Sequence, residues 1–173
     1  MTLVRVNKDN LDEYEEFIKK HPKGLFQHSS KWAKVKSAWK FEAIMLKNDS
    51  GEIKGSAAVL IRSIPIIKNS LMYCCRGFVC DENDFDTFDK LFNGLIELGK
   101  EYKAYCIKID PEIVIQNEAY KKHLIESGFI ELNPGCMDFE NVQPRFVYCF
   151  DYNGMNEDEL MLTFKPDYRN RIR

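Results

Sequence analysis

The sequence predicts an α/β fold (α+β type), a mixed sheet flanked by helices, on three observations. Strand-like apolar runs occupy Phe41–Leu46, Ile53–Ile64, Leu71–Val79 and Tyr105–Ile109. The longest helical pattern, Asp84–Tyr102, falls between two of these runs, which argues a mixed sheet with at least one crossover. The chain has 173 residues, 45% of them hydrophobic, so it can bury one sizeable core.

The elements follow in order. Leu3–Val6 alternates as a short first strand. Asn10 or Asp12 opens an acidic helix whose apolar positions Leu11, Tyr14, Phe17 and Ile18 keep helical spacing, and Pro22 and Gly24 end it. Ser29 or Ser30 caps a shorter helix holding Trp32, Val35, Lys36 and Trp39. Asn48–Gly51 supplies turn chemistry between two strands, and Pro65 ends or bends the second. The Asp84–Tyr102 helix carries a wide stripe of Phe85, Phe88, Leu91, Phe92, Leu95, Ile96 and Leu98. Asp110-Pro111 stops the next strand, and Gly128 closes a helix over Asn117–Ser127. Phe129–Leu132 and Pro144–Tyr152 are expected as the last strands. Asn156 and Glu159 are spaced for a capping box. This order is that of the acyl-CoA N-acyltransferase-like (GNAT-like) fold, and a fold by itself gives no function.

Composition narrows the function. The balance of 25 Lys+Arg against 27 Asp+Glu favours no partner, but three of the seven arginines, Arg169, Arg171 and Arg173, crowd the last five residues. No run reaches the roughly 18 apolar residues of a membrane span, and Met1–Asn10 lacks the apolar core of a signal peptide, so the expected compartment is the cytoplasm. The six cysteines, Cys74, Cys75, Cys80, Cys106, Cys136 and Cys149, contain no C-x-x-C and lie far in sequence from the histidines. They read as free, core-type thiols rather than zinc ligands or disulfides, with Cys106 in an alternating core strand. No metal is expected.

A coenzyme A enzyme of this fold needs glycine-rich amides opening the long helix to hold a pyrophosphate. The segment Cys74–Asp84 has one glycine and three acids near its end, which opposes an acetyl-CoA-dependent acyltransferase. Nucleotide-binding glycine loops and a Gly-x-Ser-x-Gly elbow are absent. Anion-binding candidates remain. Lys36 falls one helical turn after Trp32, where its stem can pack on the ring. Arg76 sits beside Gly77 at a strand tip. Arg169 and Arg173 share a helical face and could meet phosphates. Asp110 and Glu112 read as an acidic turn, and His28 as a capping or surface histidine rather than a general base.

Gly24–Lys36 resembles the "phe-x-gln-ser … trp-x-x-x-lys" opening of the FemABX family, aminoacyl-tRNA-dependent transferases that build peptidoglycan interpeptide bridges. Ala57–Pro65 is similar to the family's "ala-x-val-leu-x-arg-x-ile-pro" strand, and Tyr73–Val79 to its "tyr-x-pro-arg-gly-pro" segment. Cys75 and Phe78 replace the prolines expected there. Gln143-Pro144-Arg145 and Phe164–Arg173 resemble the "gln-pro-arg" and "phe-lys-x-x-x-arg-x-asn-ile-arg" signatures.

The resemblance implies two GNAT-like domains in tandem. Residues 1–173 would form the first, and residues 164–173 the basic start of the connection to the second. It also implies a precursor, UDP-MurNAc-pentapeptide or its lipid-linked form, bound by Lys36, with Arg76 as a second contact. Aminoacyl-tRNA would be co-substrate rather than cofactor, with Arg169 and Arg173 as phosphate contacts, and peripheral membrane contact belongs to the lipid-linked case. No catalytic residue is assigned. The alternatives are an acetyl-CoA acyltransferase and a non-catalytic RNA- or ligand-binding module of the same fold.

Overall fold

The computed structural model describes residues 1–66, 68–114, 116–132 and 150–172, and the chain divides into two units, 1–132 and 133–173. In the first unit five strands lie side by side in chain order: β1 (Thr2–Arg5), β2 (Lys40–Lys47), β3 (Ile53–Ile64), β4 (Asn69–Cys74) and β5 (Ala104–Ile109). The first four pair antiparallel, whereas β4 and β5 run parallel. Parallel neighbours need a crossover, and α3 (Phe85–Glu101) supplies it. Helices α1 (Leu11–Lys20) and α2 (Ser30–Val35) lead from β1 to β2, and α4 (Glu118–Glu126) follows β5.

The strand runs are almost continuously apolar because both faces of the sheet are buried. In β2, Ile44 and Leu46 join Val59, Met72, Phe88, Leu91 and Leu95 in the cluster beneath α3. Their neighbours Ala43 and Met45 join Tyr14 and Ile18 of α1 in a second cluster. Side chains alternate across a strand, so each residue step changes face and both faces demand apolar residues. Glu42 is the exception at the strand's start. Burial pushes its carboxyl up, but hydrogen bonds from Arg5 at 2.9 Å, Tyr102 and Lys40 outweigh that and hold it at about 2. This cluster ties β1 and β2 to the end of α3.

In the second unit α5 (Glu157–Thr163) and α6 (Pro166–Ile172) follow in sequence. The Asn156 side chain accepts from the Glu159 N–H at 3.0 Å, and Glu159 accepts from the Asn156 N–H at 2.9 Å, the capping box its spacing predicts.

Four expectations change. Residues 129–132 form no strand among the described residues: the Phe129 N–H donates to the Leu124 carbonyl at 3.0 Å, closing α4, and its ring packs on Phe92. Cys106 is exposed rather than in the core, because β5 has a ladder partner on one side only among the described residues. The run beginning at Leu71 stops at Cys74, and Val79 makes only an isolated bridge to Ser56. Helix α2 ends at Val35, short of Trp39. Gln143-Pro144-Arg145, Cys136, Cys149 and most of the Pro144–Tyr152 run lie outside the described residues.

The turn after α1 is tight. A Cβ on Gly24 would stand 1.7 Å from the Ile18 carbonyl oxygen, a backbone clash no side-chain motion relieves. Gly24→Ala is expected to lower stability by about 1–3 kcal/mol in urea unfolding; an unchanged midpoint would show that the turn does not need its glycine.

Candidate functional site

Lys36 ends a helix whose start is fixed by a carboxylate from α1. Glu15 accepts hydrogen bonds from the Ser29 hydroxyl at 2.7 Å, the Ser30 N–H at 2.8 Å and the Ser30 hydroxyl at 2.6 Å. Burial raises the Glu15 pKa, and these bonds more than reverse the effect, leaving it below its ordinary value. At the other end the Lys36 N–H donates to the Trp32 carbonyl at 3.1 Å. The Lys36 Nζ stands 5.0 Å from the centroid of the Trp32 ring, and Phe26 meets that ring edge-on at 5.1 Å. Lys36 is exposed, so its cation rests on an aromatic platform with its donors open to solvent.

The platform is attached to the sheet through His28. This residue closes a 3-10 turn, Phe26–His28, and is 1% exposed. The Tyr14 hydroxyl donates to the His28 carbonyl at 2.6 Å, and the Leu25 N–H donates to Nδ1 at 3.0 Å. Because Nδ1 accepts, the ring proton belongs on Nε2. That N–H faces the carbonyls of Cys75 and Gly77, outside strict hydrogen-bond geometry. Burial lowers the imidazole pKa to about 4 despite those carbonyls, so the ring is neutral at pH 7. His28 is therefore a buried pin, not a surface histidine, and its cap is the Leu25 contact.

Cys75–Gly77 is the loop at the C-terminal end of β4. Arg76 has φ +59° and Gly77 φ +76°, so the chain turns through two successive left-handed residues. The Arg76 N–H donates to Asp110 Oδ1 at 2.8 Å, joining the ends of the parallel strands β4 and β5. Asp110 Oδ2 is buried without a hydrogen bond, the Tyr73 hydroxyl faces it short of bonding geometry, and burial holds the Asp110 pKa above its ordinary value. Asp110 is thus a half-buried anchor rather than a solvated acidic turn.

The Arg76 side chain lines a narrow cleft with Lys23, Phe78, Cys80, Glu82 and Tyr120. Lys23 spans it, pairing with Glu82 and donating to the Glu112 carbonyl at 2.8 Å. The cleft lies beyond the C-terminal ends of parallel strands, where open α/β sheets bind ligands.

The start of α3 is chemically different. Asp84 accepts from the Thr87 N–H at 3.0 Å and the Thr87 hydroxyl at 2.7 Å, and Asp86 lies in the first turn. The helix therefore meets its own carboxylates there, and these residues do not fit the pyrophosphate of coenzyme A.

A model of the FemAB family matches residues 10–173. The chain belongs to the FemAB family. It is 32% identical over 166 residues to the Lipid II:glycine glycyltransferase of Staphylococcus epidermidis, and 30% identical over 169 residues to that of Staphylococcus aureus. Each alignment covers 93% of this chain and 39% of the relative, so the chain spans about two-fifths of the length of these relatives. The crystal structure of FemX superposes with a TM-score of 0.73 at 28% identity, covering 100% of this chain and 43% of that one. A probable acetyltransferase gives a TM-score of 0.57 at 14% identity, covering 87% of this chain and 100% of that one, which shows the GNAT-like fold alone.

Among the FemAB-type candidates, Lys36 and Arg76 belong to the first unit, on segments that His28 holds together. Arg169 is half-buried on α6 in the second unit, and Arg173 lies outside the described residues. Tyr14, Glu15 and His28 carry the local architecture, yet the Tyr14–His28 and Glu15–Ser29 contacts each cross 14 residues of chain and left no periodic signal. Among the described residues no group of three or more His, Cys, Asp or Glu could hold a metal ion.

His28 makes stability pH-dependent. Its folded pKa of about 4 lies below the ordinary 6.5, so the unfolded chain binds a proton that the native state refuses. Stability therefore rises with pH across that window and is lost as pH falls from about 6.5 toward 4, by up to about 3 kcal/mol. His21, also held low by burial, adds in the same sense, and Asp110, held high, opposes it. Urea unfolding from pH 7 to 5 should show a shallower slope for His28→Asn than for the unmodified chain; equal slopes would mean that His28 titrates normally.

Proposed function

We propose that this chain forms the precursor-binding part of an aminoacyltransferase that adds amino acids from aminoacyl-tRNA to the stem peptide of a peptidoglycan precursor. The observation that carries the reading is the FemAB-family match over residues 10–173 together with an exposed lysine on an aromatic platform at the family's lysine position. The relatives' names, Lipid II:glycine glycyltransferase, point to a lipid-linked precursor and to glycine as the transferred residue.

In this reading Lys36 offers a three-donor ammonium to a phosphate or carboxylate of the precursor, and Arg76 lines the neighbouring cleft. The two groups need fixed spacing, and the His28 contacts supply it. The reaction is aminolysis: a stem-peptide amine attacks the aminoacyl ester carbon, the carbon–oxygen bond to the tRNA ribose breaks as the amide forms, and the proton lost by the amine ends on the departing ribose oxygen as its hydroxyl. The amine must be deprotonated and the oxyanion stabilised. Neither task is assigned to a residue of this chain, so the chain on its own should bind precursor without turning over charged tRNA. The acidic start of α3 counts against acetyl-CoA as the acyl donor.

Calorimetric titration with UDP-MurNAc-pentapeptide tests the site. Lys36→Ala should weaken binding about tenfold, the scale of one lost charge-assisted contact, with an unchanged melting temperature. Affinity that is the same in the variant would remove Lys36 from the site.

A further inference from the structure

Acidic residues are absent from two long stretches, 22–41 and 53–80, while lysines and arginines are not. The fold joins these stretches at Trp39. Its N–H donates to the Lys36 carbonyl at 2.8 Å, closing a turn of four residues. The next residue, Lys40, pairs with Ile61, so Trp39 stands opposite Arg62, and the Arg62 guanidinium lies 5.7 Å from the centroid of its ring. Such a turn spans less than about 7 Å and paired strands stand about 5 Å apart, which keeps the Lys36 and Arg62 Cα atoms within about 12 Å. The two residues also share a side of the sheet. Ala58 packs with Tyr14 and Ile18 of α1, and side chains alternate along a strand, so Arg62 projects to that side. Helix α2, which Lys36 ends, is tied to α1 by Glu15 there. Glu42 belongs to the opposite side with Ile44, where Arg5, Lys40 and Tyr102 engage it. Lys36 and Arg62 are both exposed, and neither forms an ion pair among the described residues; each rests on an indole ring instead.

We infer that Arg62 is a further ligand-binding residue, and that with Lys36 it forms a two-cation seat for a diphosphate. Two like charges this close, with no acid between them, repel one another, and a ligand with two adjacent negative charges offsets that repulsion. The indole rings hold the cations in place without using their N–H groups. The guanidinium therefore keeps its planar fork for phosphate oxygens, and the ammonium keeps its three donors. A lone carboxylate would engage only one of the two cations. A diphosphate carries its charges on two phosphoryl groups joined by one oxygen, so both cations are satisfied by one ligand. That the diphosphate belongs to a muramyl-peptide precursor rests on the proposed function; the two-cation seat does not.

Titration of the full chain with inorganic pyrophosphate, followed by 15N–1H NMR, tests the seat without the precursor. The Arg62 Nε–H and the Trp39 indole N–H should both shift. Arg62→Gln should weaken binding about tenfold, the scale of one lost charge-assisted contact. Arg62→Lys should recover part of that loss, because it restores the charge without the fork. Arg62 is exposed, and thermal unfolding checks that the variants fold. A second pair of titrations separates phosphate from carboxylate. Arg62→Gln should weaken UDP-MurNAc-pentapeptide about tenfold and leave MurNAc-pentapeptide, which lacks the diphosphate, unchanged. Pyrophosphate that shifts neither signal, or that binds Arg62→Gln as tightly as the unmodified chain, would overturn the inference. An equal loss for both muramyl peptides would also overturn it, giving Arg62 to a carboxylate. Pyrophosphate bound as expected without any binding of the precursor would leave the seat standing and remove the proposed function. Precursor binding that depends on Lys36 but not on Arg62 would do the reverse.

Discussion

The arrangement of the site depends on one neutral imidazole in a dry place. His28 gains no charge interaction; it stays uncharged because burial makes protonation costly, and it uses that neutrality to present an acceptor and a donor in fixed directions. The acceptor takes the Leu25 N–H and the donor faces the β4 loop, while the carbonyl of the same residue takes the Tyr14 hydroxyl. A protonated ring would lose the acceptor and place a cation in the core. The lysine platform, the arginine loop and α1 thus share a residue with one tolerated protonation state.

The wider fold explains why such a pin is needed. The parallel pair β4–β5 opens a cleft at its C-terminal end, and Asp110 holds its two tips together through the Arg76 N–H. The platform comes from a different part of the chain, between β1 and β2, and α2 is too short to hold a position by itself. Glu15 and His28 supply that attachment, one at the helix start and one in the turn before it. The same fold in acyl-CoA enzymes uses the start of the long helix for a pyrophosphate, whereas here the carboxylates of Asp84 and Asp86 occupy it.

Much of this was legible in the residues. The apolar stripe of α3 gave its length within a residue or two, and the Asn156–Glu159 spacing gave a capping box because that motif is local. The Trp32–Lys36 contact followed from helical spacing, although Lys36 is the residue that ends the helix. What was not legible depended on distant neighbours. Alternation marks β5 as a strand but does not say what covers Cys106. Phe129 has a strand-former's side chain, yet its N–H closes a helix. His28 looked like a surface residue because nothing within the turn reveals the tyrosine 14 residues earlier that buries it.

The most direct test is long-range 15N–1H NMR of the His28 ring between pH 7 and 5. A proton on Nε2, an unprotonated Nδ1 and no titration above about pH 5 are expected from the pKa of about 4. A ring protonated on Nδ1, or one that titrates near its ordinary 6.5, would contradict the pinned, neutral imidazole on which the site is built.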